Sequence, residues 1–106
     1  MHITTDGPVL VLHGDFDVRS TGEVRYALYD HLATLDRDVV VDLTDVPAVD
    51  VTALRVLAVA TREATRAGHH LVLRGCGPKV RRMLHLSRLR RAVEVEARVA
   101  AGAVSA

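Results

Sequence analysis

Hydrophobic and polar positions along the chain follow two periods. Short runs of strand length are apolar throughout or alternate with polar residues, whereas longer segments repeat their apolar residues every three or four positions, as one face of a helix does. The strand pattern covers residues 3–5, 9–13, 38–43, 70–74 and 92–96. The helical pattern covers residues 21–34, 51–67 and a third segment from Pro78 to about His85.

The order of these segments predicts an α/β fold. Strands and helices alternate, which is typical of a mixed sheet, here of four to five strands with three main helices. Strand 38–43, helix 51–67 and strand 70–74 form a predicted right-handed crossover between parallel strands. Such a crossover places the start of its helix at the carboxyl edge of the sheet, where open α/β sheets usually carry their functional sites.

Two predicted helices begin with capping signals. Ser20 and Glu23 have the spacing of a capping box, in which each side chain accepts a hydrogen bond from a backbone amide of the first turn. Asp50 precedes the second helix, where its carboxylate can cap the amide of Thr52 or Ala53. Both signals have a structural explanation that requires no function.

Length and cysteine content indicate one domain without covalent staples. The chain has 106 residues, and we expect a single domain over residues 1–96 and a flexible C-terminal tail over residues 97–106. The single cysteine, Cys76, cannot form an internal disulfide, which fits a reducing compartment. The first residues lack a signal-peptide pattern and no apolar run reaches membrane-spanning length, so we predict a cytoplasmic protein without a membrane partner.

Charge is divided between the two halves of the chain. Residues 1–53 carry three arginines and ten acidic residues, whereas residues 54–106 carry eleven basic and three acidic residues. Folding can mix these charges into an ordinary solvated surface, or it can leave a basic surface that attracts acidic partners or phosphates. All three aromatic residues lie in the acidic half, so no stacking platform accompanies the arginines and nucleic acid is not favoured as a partner.

No residue pattern indicates catalysis or a bound ion. Asp15 and Asp17 are paired carboxylates, but without a nearby histidine or a metal-ligand spacing they are typical of a turn. His69 and His70 are adjacent, so on a strand they point to opposite faces and cannot hold one ion together. The sequence also lacks a phosphate-binding loop, a nucleophile elbow and a dinucleotide fingerprint. We therefore predict no enzyme, no metal and no cofactor.

The outer face of the second helix combines apolar and basic side chains. At 100° per residue, one stripe of this helix contains Val51, Arg55, Val59, Arg62 and Arg66. The opposite face holds small and branched apolar residues that we expect to pack on the sheet. A mixture of valine and arginine is typical of a protein contact surface, and a solvated helix face is the alternative.

Four segments, taken in order, resemble the STAS family. They are Gly14-Asp15-Phe16-Asp17, the strand 39–43, the junction 50–54 and the run 77–84. The resemblance covers essentially residues 1–96. It implies the function of an anti-sigma factor antagonist, which is a non-enzymatic regulator that binds a serine-kinase-type anti-sigma factor and thereby releases a sigma factor.

One position departs from the pattern of that family. Its members carry a serine directly after the aspartate at the helix start, and phosphorylation of this serine adds about −1.5 to −2 charges and ends partner binding. Val51 occupies that position here and has no hydroxyl. Three alternatives stay open: partner binding without the usual switch, a structural STAS module in a larger assembly, or phosphorylation of Thr52, about 100° further around the helix.

The resemblance and the outer stripe together nominate a partner-binding face. We define the partner face as Asp15, Asp17, Asp50, Val51, Thr52, Arg55, Val59 and Arg62. The leading hypothesis is that a kinase-type anti-sigma factor binds it without phosphorylation at Val51, with Thr52 as the weaker acceptor candidate. The alternative is a scaffold or adaptor subunit of a signalling or transport complex, and a weak homodimer is left open.

Overall fold

A computed structural model describes residues 1–96 as a five-stranded sheet with helices packed against it. The strands are β1 (His2–Asp6), β2 (Val9–His13), β3 (Val39–Asp45), β4 (Leu71–Arg74) and β5 (Glu94–Val95). The helices are α1 (Thr21–Leu35), α2 (Val51–Arg66) and α3 (Pro78–Ser87), followed by a 3₁₀ turn over Arg90–Ala92. The expected tail, residues 97–106, lies outside the described residues.

The sheet is mixed, as the sequence predicts. Its strands lie side by side in chain order, with β1 antiparallel to β2 and all other neighbours parallel. The predicted crossover is present, because β3 and β4 are parallel neighbours joined by α2. No helix in residues 1–96 combines the length and the apolar character needed to cross a bilayer.

The core lies between the sheet and the apolar faces of α1 and α2. Alternate strand residues are fully buried, namely Leu10, Leu12, Val41, Leu43, Leu71 and Leu73. From the helices, Val24, Leu28, Ala53, Leu54, Leu57 and Ala60 are equally buried. Burial of such side chains stabilises the folded state by about 25 cal/mol per Å² of apolar surface removed from water. The packing of this layer therefore fixes the position of α2 on the sheet.

The capping-box prediction at the start of α1 is wrong. The Ser20 backbone is not extended (φ −115°, ψ 2°), and its side chain caps no helical amide. Instead, the Ser20 hydroxyl donates to the Asp17 carbonyl at 3.2 Å and accepts from the Asp17 amide at 3.3 Å. Glu23 lies 3.4 Å from the N-terminal ammonium of Met1, which draws its carboxylate away from the cap.

Candidate functional site

Two loops meet at the carboxyl edge of the sheet. Residues 14–18 follow β2, residues 46–50 follow β3, and the two segments run side by side through a parallel bridge between Phe16 and Val49. The Asp50 amide donates to the Phe16 carbonyl at 3.3 Å, and the Phe16 ring is fully buried. The start of α2 is therefore held in place by a contact between two loops, and this contact is anchored in the hydrophobic core by Phe16.

Asp50 joins the neighbouring loop to the start of α2. One carboxylate oxygen accepts from the Ala53 amide at 2.8 Å, which confirms the predicted helix cap. The other accepts from the Val18 amide at 3.0 Å. Because both oxygens are engaged, this single side chain fixes two segments that are far apart in sequence.

Two partly exposed valines lie at this junction between the loop of residues 14–18 and the start of α2. Val51, the first residue of α2, is 37% exposed, and Val18, held nearby through Asp50, is 63% exposed. Thr52 is half-buried. Val18 is absent from the predicted partner face, because its only local signal is one apolar residue in a polar loop and its position depends on a contact 32 residues away.

The two loop carboxylates differ in their surroundings. The Asp17 carboxylate accepts from the Arg19 side chain at 2.7 and 3.1 Å and from the Arg19 amide at 3.0 Å. These hydrogen bonds from Arg19 hold the pKa of Asp17 below its usual range, and the same contact raises the pKa of Arg19. Asp17 is therefore a charge-compensated turn residue, while Asp15 is exposed to solvent.

A shallow groove continues from the junction between α1 and α2. It has a volume of about 260 Å³, and its lining comprises Arg25, Tyr29, Thr52, Arg55, Val56 and Val59. Three partner-face residues thus share one surface. Arg25 and Tyr29 are absent from the predicted partner face, although their spacing of four residues on α1 indicates that both point to the same side of the helix.

Arg62 lies on the other flank of α2. There it lines a separate groove of about 420 Å³ together with Arg66 of the same helix and Arg91 of the 3₁₀ turn. The structure therefore brings Val51 to the junction and Arg55 and Val59 to the shallow groove beside α1, and it places Arg62 apart from them.

The remaining candidate groups engage in structural contacts. His69 lies 3.0 Å from Asp36, and His70 lies 2.9 Å from Glu94. In the part of the chain that the structure describes, no three His, Cys, Asp or Glu side chains are grouped so that they could hold a metal ion. Cys76 is buried, and burial raises the pKa of its thiol, which favours the unreactive protonated form.

Comparisons with known proteins agree with this architecture. The family model described as "Mlab, STAS domain" matches residues 2–96, whereas no curated protein sequence matches the chain. A solved structure of a candidate anti-sigma factor antagonist from Thermotoga maritima has a TM-score of 0.73 at 20% identity, covering 89% of this chain and 83% of that chain.

Two further solved structures have the same fold. The anti-sigma factor antagonist SpoIIAA of Bacillus, in its unphosphorylated form, has a TM-score of 0.70 at 14% identity over 92% of this chain and 88% of its own. An anti-sigma factor antagonist from Mycobacterium paratuberculosis has a TM-score of 0.66 at 23% identity over 89% and 81%. The matched family model and the shared five-stranded architecture lead to one conclusion: this chain belongs to the STAS family and resembles its anti-sigma factor antagonists.

Proposed function

We propose that this STAS domain is a non-enzymatic cytoplasmic regulator that binds a serine-kinase-type anti-sigma factor and so releases a sigma factor. The observation that carries the proposal is the junction at Asp50, whose two carboxylate oxygens hold the Val18 loop and the start of α2 together. The exposed side chains of Val18 and Val51 are therefore held in fixed positions and form a preorganised apolar contact surface. Preorganisation favours binding because little conformational freedom is lost on association.

The chemistry of the partner face fits a protein ligand. Val51 and Val59 are exposed apolar residues flanked by Arg55, which is also exposed. Interfaces of this type pair a small apolar centre with a polar rim. We therefore expect the partner to offer an apolar recess bordered by acidic side chains.

We infer that phosphorylation at the first residue of α2 does not control this binding. SpoIIAA is described in both a phosphorylated and an unphosphorylated form. We infer that Val51 occupies the acceptor position of the family, so a kinase partner finds no hydroxyl there. Thr52 is half-buried and lines the shallow groove between α1 and α2, which makes it the weaker acceptor candidate.

Calorimetric titration against purified kinase-type anti-sigma factors tests the proposal. Val51→Asp places a desolvated charge at the centre of the face, and we expect its affinity to fall at least about tenfold. Leu86→Asp is the matched control, because Leu86 is equally apolar and 60% exposed but lies on α3. The proposal is overturned if none of the anti-sigma factors binds the wild-type chain, or if both variants lose the same affinity.

The second candidate function is a scaffold or adaptor subunit of a larger signalling or transport complex. The absence of a hydroxyl at Val51 favours this scaffold function, because a scaffold subunit does not need phosphorylation to regulate its binding. Size-exclusion chromatography of native extracts distinguishes the two functions. A scaffold subunit elutes in a large stable complex, whereas a partner-switching regulator elutes mostly as a small species.

A further inference from the structure

The groove between α1 and α2 extends well beyond the junction. A second cavity of about 500 Å³ adjoins the first, and Tyr29 lines both. The other lining residues of the second cavity are Leu32, Ala33, Asp36, Glu63, Ala64, Ala67 and His69. The two cavities lie along the α1–α2 helix pair and meet at Tyr29, and we call them together the α1–α2 groove.

The two ends of the α1–α2 groove carry opposite charges. Arg25 and Arg55 line the end near the junction, and Asp36 and Glu63 line the far end. Neither arginine forms an ion pair within residues 1–96. At the far end, Asp36 contacts His69 and Glu63 contacts Arg66 at 3.6 Å. The second contact is an exposed pair, which is easily exchanged for another.

Exposed apolar side chains occupy the middle of the groove. Tyr29 is 37% exposed and Val59 is 47% exposed. Further exposed apolar residues are Tyr26 on α1 and, at the junction, Val18 and Val51. An apolar patch bordered by charges typically marks a surface that another protein covers.

The spacing along α2 makes this surface complementary to itself. Arg55 precedes Val59 by four residues, and Glu63 follows Val59 by four residues, so the three side chains lie along one side of the helix with the two charges about 6 Å from the centre. A second α2 running in the opposite direction, with its Val59 on the first, places each arginine opposite a glutamate. Two-fold symmetry then forms both ion pairs at once.

We propose that the α1–α2 groove is the contact surface of a two-fold homodimer in which the two copies of α2 pack antiparallel, with Val59 at the axis. Arg55 then pairs with Glu63 of the partner subunit, and the reverse pair forms by symmetry. The exposed apolar area is modest, so the dimer is weak and concentration-dependent. This proposal does not depend on the proposed function, since its test contains only this chain.

Sedimentation equilibrium of the full chain at concentrations up to about 1 mM tests the dimer. Arg55→Glu gives both flanks of Val59 a negative charge, and Glu63→Arg gives both flanks a positive charge. Each variant alone therefore repels itself, and we expect the dimer dissociation constant to rise at least about tenfold. An equimolar mixture of the two variants restores both attractive pairs, and we expect it to form a heterodimer close to wild-type affinity.

The mixture is also the control for folding, because two misfolded chains do not recover association. Arg82→Glu reverses an exposed charge on α3 and is expected to leave the dimer unchanged. The proposal is overturned if the wild-type chain stays monomeric over the whole concentration range, or if the mixture does not restore association. It is equally overturned if the single variants dimerise like the wild type, which would leave the groove to a partner helix or a small ligand.

Discussion

Asp50 shows how far local sequence determines this site at the scale of single residues. Its role as a helix cap is predictable, because the acceptor and the Ala53 amide are three residues apart. Its bond to Val18 is not predictable, because it joins residues 32 positions apart and depends on how two loops meet at the sheet edge. The same distinction explains Ser20, whose hydroxyl bonds to the preceding loop in place of the predicted cap.

Replacing Asp50 by alanine should destabilise the fold. Asp50→Ala removes the cap of α2 and leaves the Val18 amide without its acceptor, so we expect a loss of about 1–2 kcal/mol in the free energy of unfolding. Urea denaturation measures this loss in the free energy of unfolding. Asp42→Ala is the control, since Asp42 accepts one local bond from Thr44 and caps no helix. An equal or smaller loss for Asp50→Ala than for Asp42→Ala would contradict the role assigned to this side chain.

Gly75 should tolerate no side chain. Its φ is +73°, and an added methyl would strike the Thr44 side chain and lie 3.0 Å from the Thr44 backbone nitrogen. Gly68 has a similar φ of +84° but open space around it, so Gly68→Ala incurs only the backbone strain of about 1–2 kcal/mol. Compared with Gly68→Ala, we expect Gly75→Ala to lower the free energy of unfolding by about 1–3 kcal/mol more, as measured by thermal unfolding. Equal losses for the two variants would refute the close approach to Thr44.

At the scale of elements, periodicity predicts the helices and strands but not the grooves between them. The predicted helix 51–67 closely matches α2 (Val51–Arg66), and the apolar pattern correctly assigns its sheet-packing face. The outer stripe of α2 is divided between two grooves, and the packing of α1 on one flank and of the 3₁₀ turn on the other decides which residue lines which. Arg62 therefore separates from Arg55, although both lie on the predicted stripe.

The attachment of the edge strand β5 should depend on pH. The hydrogen bond to Glu94 raises the pKa of His70 above its ordinary value of 6.5. Folding thus favours protonated His70, so this contribution to stability is fully present below pH 6.5 and is lost as the pH rises through the raised pKa.

Urea denaturation between pH 5.5 and 8.5, roughly, measures this contribution. The relevant quantity is the difference in the free energy of unfolding between the wild type and Glu94→Gln, because this difference isolates the His70–Glu94 contact. We expect that difference to be larger at the acidic end and to shrink as the pH rises. A difference that is constant with pH would show that the His70–Glu94 contact does not couple protonation to folding.

At the scale of the whole molecule, folding mixes the acidic and basic halves of the chain. Arg25 from the first half lies beside Arg55 from the second, and Asp36 from the first half lies near Glu63 from the second. Charge counts along the sequence could not reveal this arrangement, because it depends on two helices lying side by side. The result is a groove whose two ends carry opposite charges.

Dimer formation and partner binding should compete, provided that both proposals hold. The dimer covers Arg55 and Val59, which also belong to the partner face. Glu63→Arg weakens the dimer but changes no residue of the partner face, so at high concentration it should bind the anti-sigma factor with a higher apparent affinity than the wild type. Titration at two protein concentrations measures the effect, and an identical concentration dependence for both chains would contradict the competition.

We propose that the junction at Asp50 binds a kinase-type anti-sigma factor although Val51 offers no phosphate acceptor. The most direct test incubates the wild type and Val51→Ser with such an anti-sigma factor and ATP, then records intact mass and binding affinity. We predict that Val51→Ser gains a single phosphate and loses affinity, because the added charge lies within the contact surface, while the wild type stays unmodified and bound. A stoichiometric phosphate on the wild-type chain, or no phosphate on Val51→Ser, would contradict this proposed function.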